Sequence, residues 1–301
     1  MKRGLFLALL LVLFTALSVP AVSAMPSDAE SATVQTKSTL ESVFGMKDAL
    51  PFALGFGATG DFVLDRNLDN ATDLEALWYG GNIYIDPILD SSFGYLKDRL
   101  HFSVFVGVAD LQLGNVGVSG STTTKVQLES DAAIAVGGGG KFDILEFQIP
   151  YLKDVLLVSE LPNAQLYVSG GYRWSNPSVD SAPNLGTRVA TVDMEFEVNE
   201  WHAGVGLQQR INNWIPGVGL VPYIGVQYSD IEVELTGTGT YAVEAGGDAA
   251  QTITTGSGNS DDVVAAVAGI QVWGFEDRLV VSVEGRFIAE TAVSVNGRIR
   301  W

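Results

Sequence analysis

An all-β chain, closed as an antiparallel up-and-down transmembrane β-barrel of about ten strands (8 to 12 fit the pattern), is what three features of this sequence predict. First, segments of roughly 9–11 residues or more alternate apolar and polar side chains with period two between Phe52 and Trp301, long enough for a tilted bilayer crossing. Strands of a soluble sandwich are typically shorter, about 5–6 residues. Second, the face that alternates with the apolar one is crowded with Gly, Ala and Ser, as a narrow lumen requires, where a solvent-facing sheet would carry Lys, Thr, Glu and Arg. Third, mean hydropathy is +0.23, yet beyond the N-terminus no apolar run approaches the roughly 18 residues of a spanning helix.

The N-terminus has the layout of a secretory signal peptide. Lys2 and Arg3 are followed by an apolar run, Leu5 to Leu17, broken only by Thr15, and then by small residues at Val22-Ser23-Ala24. Residues 1–24 are therefore set aside, with Met25 expected as the mature start. Residues 25–50 are polar and mixed, and are read as a periplasmic leader with a short helix at Ser38 to Met46. Residues 51–301 form the barrel. There is no cysteine, which excludes disulfides, thiolate metal sites, a cysteine nucleophile and a lipidated N-terminal Cys. The net charge of −18 does not suit a nucleic-acid backbone. On an outer surface, acidic loops would be bridged to lipopolysaccharide by divalent cations; the plainer reading is a solubilising charge.

The strands follow in order. The first places Phe52, Leu54, Phe56, Ala58, Phe62 and Leu64 on one face, with Ala53, Gly55, Gly57, Thr59 and Asp61 on the other. The second sets Leu77, Tyr79, Gly81, Ile83 and Ile85 against Trp78, Gly80, Asn82 and Tyr84. The third sets Leu100 through Val108 against His101, Ser103, Phe105, Gly107 and Ala109. The fourth, about Lys125 to Phe142, puts Val126, Leu128, Ala132, Ile134 and Val136 outward, and Gln127, Glu129, Asp131, Ala135, Gly139 and Lys141 inward. The fifth, Gln165 to Trp174, turns Tyr167, Ser169 and Arg173 inward.

The sixth, about Val189 to Arg210, changes parity near Asn199-Glu200, where either a β-bulge or a turn is expected. The seventh, Leu220 to Thr236, invites another bulge near Asp230. Asp261 to Gly274, Leu279 to Ala289 and Ala292 to Trp301 complete the set. Glu276-Asp277-Arg278 and Asn212 to Gly219 read as short periplasmic turns, and 114–124, 175–188 and 237–258 as long outer loops. Tyr95-Leu96-Lys97-Asp98 recurs as Tyr151-Leu152-Lys153-Asp154, each after a proline, and both are expected as short periplasmic helices. Trp78, Tyr79, Trp174, Trp201, Trp214, Tyr223 and Trp273 are expected to mark the membrane interfaces.

The last strand carries the sharpest pattern. Val293, Val295, Gly297, Ile299 and Trp301 share one face and end on an aromatic, with Ser294, Asn296, Arg298 and Arg300 opposite. This resembles the C-terminal assembly signal of bacterial outer-membrane proteins, which implies insertion by the barrel-assembly machinery. Glu200-Trp201-His202-Ala203-Gly204-Val205-Gly206, Pro222 to Ser229 and Val283-Glu284-Gly285-Arg286-Phe287 resemble opacity-type outer-membrane β-barrels. The resemblance covers residues 200–301 and implies location and fold, with outer-membrane lipid and lipopolysaccharide as the surroundings. It implies no single function. Such barrels commonly have 8 strands, and the ten read here depart from that number.

Candidate sites are few. The chain has two histidines. His101-Phe102-Ser103 echoes the His-x-Ser of outer-membrane lipid A deacylases, but His101 follows a periplasmic turn, at the wrong end for that chemistry. Omptin proteases have ten strands, yet no matching Asp-Asp and Asp-His motif surrounds His202, which reads as lumen packing. Asp65 to Asp73 has oxygens at EF-hand-like positions, but it lacks the glycine and the bidentate Glu. The most coherent set is Glu284 facing Arg286, Arg298 and Arg300, joined by Lys141, Arg173 and Arg210 into a lumen charge network. Buried charges need partners, so a structural ladder centred on Glu284 is preferred to an anion-selective ring. The expectation is a non-enzymatic outer-membrane barrel with no cofactor or metal, in a structural or surface-interaction role. The alternative is a small, porin-like diffusion pore with anion preference.

Overall fold

The structure, a computed structural model, describes residues 52–69, 72–87, 99–118, 121–148, 163–181, 189–215, 217–242, 251–253, 255–260, 263–275 and 278–300. The signal and leader regions, the two expected periplasmic helices and Trp301 lie outside these residues. In chain order the strands are β1 (Phe52–Leu68), β2 (Thr72–Pro87), β3 (Leu100–Val118), β4 (Ser121–Ser130), β5 (Ala133–Gln148), β6 (Asn163–Ser175), β7 (Val179–Ser181), β8 (Val189–Gln209), β9 (Ile211–Ile215), β10 (Val218–Ala242), β11 (Gln251–Thr252), β12 (Gly256–Asn259), β13 (Val264–Gly274), β14 (Leu279–Ile288) and β15 (Glu290–Arg300). Ten of them close one antiparallel barrel, in the order β1-β2-β3-β5-β6-β8-β10-β13-β14-β15 and back to β1.

Why the pattern changes parity along β8 is visible in its neighbours. β8 pairs with β10 from Gln208↔Tyr223 to Val189↔Ala242 without a register shift, and with β6 equally regularly. Neither of the bulges expected at Asn199-Glu200 and at Asp230 is present. From Met194 to Gln208 the even-numbered residues of β8 point inward. What changes is the surroundings. In the lower half the outward residues are apolar and exposed, such as Val205, and the inward ones are polar, such as His202 and Gln208. In the upper half Met194, Phe196 and Val198 are buried inside, and Asp193, Glu195 and Glu197 face out. β10 does the same: Ile224 and Val226 are exposed below, while Ile231, Val233 and Leu235 are buried above. A fixed period of two thus runs from a half with an apolar exposed face into a half with an acidic exposed face.

The upper half is a second, coaxial barrel with inverted polarity. β1, β2, β3, β4, β7, β8, β10 and β12 form a circuit, closed by single bridges at Ser178↔Glu195 and Leu68↔Ser260. Its interior is a packed apolar core that includes Leu68, Leu74, Leu111, Leu128, Phe196 and Ile231.

Two further expectations are corrected here. The fourth expected strand is broken at Asp131-Ala132 into β4 and β5. Across the break the facing flips, so Val126 and Leu128 are buried inward at 0% exposure instead of facing out. β1 makes the same flip with a real bulge between Val63 and Asp65, which turns Arg66 and Leu68 inward. The loops expected at 114–124, 175–188 and 237–258 contain the ends of β3, β4 and β10, all of β7 and β11, and most of β12.

Candidate functional site

Where the two compartments meet, six side chains close a cycle of alternating charge across the lumen. Asp61 and Arg66 come from β1, Arg173 from β6, Glu200 from β8, Arg286 from β14 and Glu290 from β15. Arg286 donates from Nη2 to Asp61 at 2.7 Å and from Nε to Glu290 at 2.5 Å. Arg173 donates from Nη1 to Asp61 at 2.5 Å and from Nη2 to Glu200 at 2.6 Å. Arg66 completes the ring, 3.2 Å from Glu290 and 3.6 Å from Glu200. Three guanidiniums and three carboxylates cancel, so the ring carries no net charge. Asp61, Arg66, Glu200, Arg286 and Glu290 are all buried.

Serines fill several of the remaining hydrogen-bonding positions, while Arg66 Nε and Arg173 Nε are buried without a partner among the described residues. Ser294 Oγ donates to Asp61 at 2.6 Å and accepts from Arg286 at 3.0 Å. Ser229 Oγ donates to Glu200 and accepts from Arg66, whose Nη2 also reaches the Ser229 carbonyl and Ser260 Oγ, each at 2.7 Å. A buried charge persists only when it is paired and hydrogen-bonded in this way. Trp78, fully buried, places its ring 4.8 Å from the Arg173 guanidinium. Glu290 reaches the ring from the tight connection after β14, where Ile288 adopts φ 89°, a conformation disfavoured for a β-branched residue.

Below the ring the lumen opens into a cavity of about 1370 Å³. Asp61, Arg173, Arg286 and Ser294 form its roof. Its walls run down to Asn163, Gln165, Arg210 and Trp273, toward the end where β1 begins and β15 finishes. Glycines make room for its aromatic walls. A Cβ on Gly206 would come within 2.5 Å of Tyr167, and one on Gly269 within 2.3 Å of Tyr223. A second string of charges lines the lower wall. Arg298 donates to Asp86, and Asp86 lies 2.9 Å from His101 Nδ1. His101 Nε2 is 3.6 Å from Asp143, which is 3.2 Å from Lys141. Lys141 also donates to Gln208 at 2.8 Å.

The expected network residues separate into these groups. Arg173 and Arg286 belong to the ring, Lys141 and Arg298 to the lower string, and Arg210 stacks 5.2 Å over Trp273. The side chain of Arg300 lies outside the described residues. Glu284 is not the hub. It accepts from Tyr223 at 2.9 Å and stands 3.7 Å from Arg286, whose closer partners are Asp61 and Glu290. Arg298 lies four residues beyond Ser294, the residue opposite Glu284, so the register holds them apart. The close packing inferred from small lumen residues gives way to the cavity.

Val293, Val295, Gly297 and Ile299 lie on β15 opposite in parity to the cavity-lining Ser294, Asn296 and Arg298. Trp78, Tyr223 and Trp273 line the interior instead of the interfaces. Trp201, Tyr228 and Tyr172 are exposed outside, the first two with ring centroids 4.9 Å apart. His202 packs against Gly171, where a Cβ would meet its ring at 2.8 Å. The described part of Asp65 to Asp73 is mostly extended strand rather than an ion-wrapping loop. Asp65 and Asp73 sit on extended strands, and Asp69 accepts from the Asn259 amide.

The site and fold thus define a closed, ten-stranded antiparallel barrel whose lumen is crossed by a ring of paired charges. No family model matches the sequence, and no curated protein matches it. Among solved structures, it is similar to the transport unit of the autotransporter AIDA-I from Escherichia coli, at 11% identity and a TM-score of 0.40, over 92% of this chain and 99% of that one. The translocator domain of the autotransporter NalP from Neisseria meningitidis matches at 10% identity and a TM-score of 0.35, over 91% and 98%. An outer-membrane channel from Pseudomonas putida matches at 9% identity and 0.30, over 85% and 98%.

Proposed function

We propose that this chain is a non-enzymatic barrel of the bacterial outer membrane that does not conduct. Its lower half sits in lipid, and its apolar-cored upper half stands outside the membrane as a structural or surface-interacting cap. Insertion proceeds through β15 and the barrel-assembly machinery. The membrane reading is supported by the outward face of the lower half, where Phe102, Val104, Ile134, Val205, Ile224 and Val283 are exposed on five strands. A soluble monomer rarely leaves so broad an apolar band open to water. Trp201 and Tyr228, stacked where that band ends and the acidic surface begins, suit an interface.

The observation that carries the closed-lumen reading is the neutral ring of six charges, backed by the apolar core above it. A diffusion pore needs a continuous aqueous path, and an anion-selective one needs an excess of cations at its narrowest point. At the ring, the cations are matched one for one by acids. Conductance of the refolded chain in a planar bilayer tests the proposal. The expected trace is flat. Steady nanosiemens-scale steps with anion preference would instead establish the small-pore reading.

A further inference from the structure

We propose that the cavity beneath the ring is a binding vestibule for an uncharged, polyhydroxylated ligand, a short pyranose oligomer, admitted from the end where β1 begins. The proposal rests on the closed-lumen reading, because the ring is what makes this space a blind pocket. On the order of forty waters would fill it otherwise, and it exceeds the usual few hundred to about 1,000 Å³ of a small-molecule site.

The lining chemistry selects the ligand. The charged side chains of the wall are answered from within the wall: Arg298 by Asp86, Lys141 by Asp143, and Arg286 by Asp61, Glu290 and Glu284. An ionic ligand therefore meets no uncompensated field. The carboxamides are different. Asn82, Gln227 and Gln271 line the cavity and have no hydrogen-bond partner among the described residues. Each offers two donors and an acceptor oxygen, the mixed set that sugar hydroxyls, themselves donors and acceptors, can match.

Gln271 also belongs to an ordered row. It stands directly opposite Ser282, Ser282 opposite Asn296, and Asn296 opposite Thr59, whose hydroxyl donates to the Asn296 carboxamide. A polar row thus runs across β13, β14, β15 and β1 at one height. Filling a lumen with water needs only small residues, and elsewhere Gly139, Ser169 and Gly170 line this same cavity. Long carboxamides lose side-chain entropy when ordered, and here no protein group orders Gln227 or Gln271. Tyr167 and Tyr223, seated against glycines, add aromatic edges to the wall, with Lys141 4.8 Å over the Tyr167 ring and Tyr223 largely buried.

The test uses the refolded full chain in detergent micelles, with tryptophan fluorescence and titration calorimetry as readouts. The probes are a neutral tetramer of β-linked N-acetylglucosamine, a neutral tetramer of α-linked glucose, and a galacturonate tetramer as the anionic control. Saturable binding of a neutral tetramer is expected, with a fluorescence change abolished by Trp273→Phe. Gln227→Leu and Gln271→Leu should each weaken it about tenfold, the effect of one lost hydrogen bond. Binding of the N-acetylated tetramer alone assigns a wall-type glycan, and binding of both assigns sugars generally. Ser282→Ala is the milder variant should either Leu substitution fail to give the heat-modifiable folded band. Three outcomes overturn the proposal: no neutral tetramer binds, the galacturonate binds more tightly, or the folded variants bind as the parent does. A silent titration with a flat bilayer trace would leave the closed barrel standing and remove only the vestibule.

Discussion

Asp61 holds the ring together, since among the described residues it is the one acid that pairs with both Arg173 and Arg286. Removing its charge leaves two guanidiniums sharing a buried site with one fewer counter-charge. Breaking a buried pair in this way costs about 3–5 kcal/mol. Asp61→Asn should therefore lower the unfolding midpoint well below that of Glu284→Gln, whose carboxylate is more open and 3.7 Å from its cation. Parallel urea unfolding of the two variants checks this, and equal midpoints would refute the ring's closure through Asp61. How legible these residues were depends on local geometry. Asp61 follows from plain alternation in β1. Arg66 does not, because the bulge between Val63 and Asp65 moves it onto Asp61's face although an odd separation puts it on the other. Glu290 sits beside a turn, where no alternation extends far enough to place it.

At the scale of a strand, β8 shows what a parity change can mean. A one-residue bulge and a change of solvent produce the same string of letters, apolar residues shifting from even to odd positions. The distinguishing signal is which polar residues accompany each half. Asp193, Glu195 and Glu197 alternate with apolar residues like the solvent face of a soluble sheet, whereas Gly204, Gly206 and Gln208 belong to a lumen. The ten barrel strands were thus readable from period two alone. The second barrel was not, since its closure depends on the non-local bridges Ser178↔Glu195 and Leu68↔Ser260. Cysteines on the outward face of β8 separate the two cases. One at Val205 should react only with a membrane-restricted label, one at Glu197 only with an aqueous label, and one at Phe196 with neither in the folded protein. A membrane-restricted label that reaches position 196 as it reaches 205 would restore the bulge.

Over the whole molecule, the closed-lumen proposal has the lumen blocked twice in series, by two different kinds of barrier. The ring blocks by occupancy: its side chains span the bore and are held by 2.5–2.7 Å contacts on four of six links. The upper core blocks by desolvation, since an ion passing Trp78, Phe196, Leu128 and Ile231 would shed water without compensation. Barriers in series predict that neither kind of damage alone gives a current. Asp61→Ser with Arg173→Ser removes one acid and one base, keeping the ring neutral while opening its wall. Phe196→Ser with Ile231→Ser admits water to the core and leaves the ring in place. Single-channel recording should find each double variant silent and the quadruple variant conducting, with heat-modifiable mobility confirming that all three fold. Current from the Asp61/Arg173 pair alone would mean that the upper core does not seal. Current from the Phe196/Ile231 pair alone would mean that ions pass the ring, and that the alternating charges line a path rather than close it.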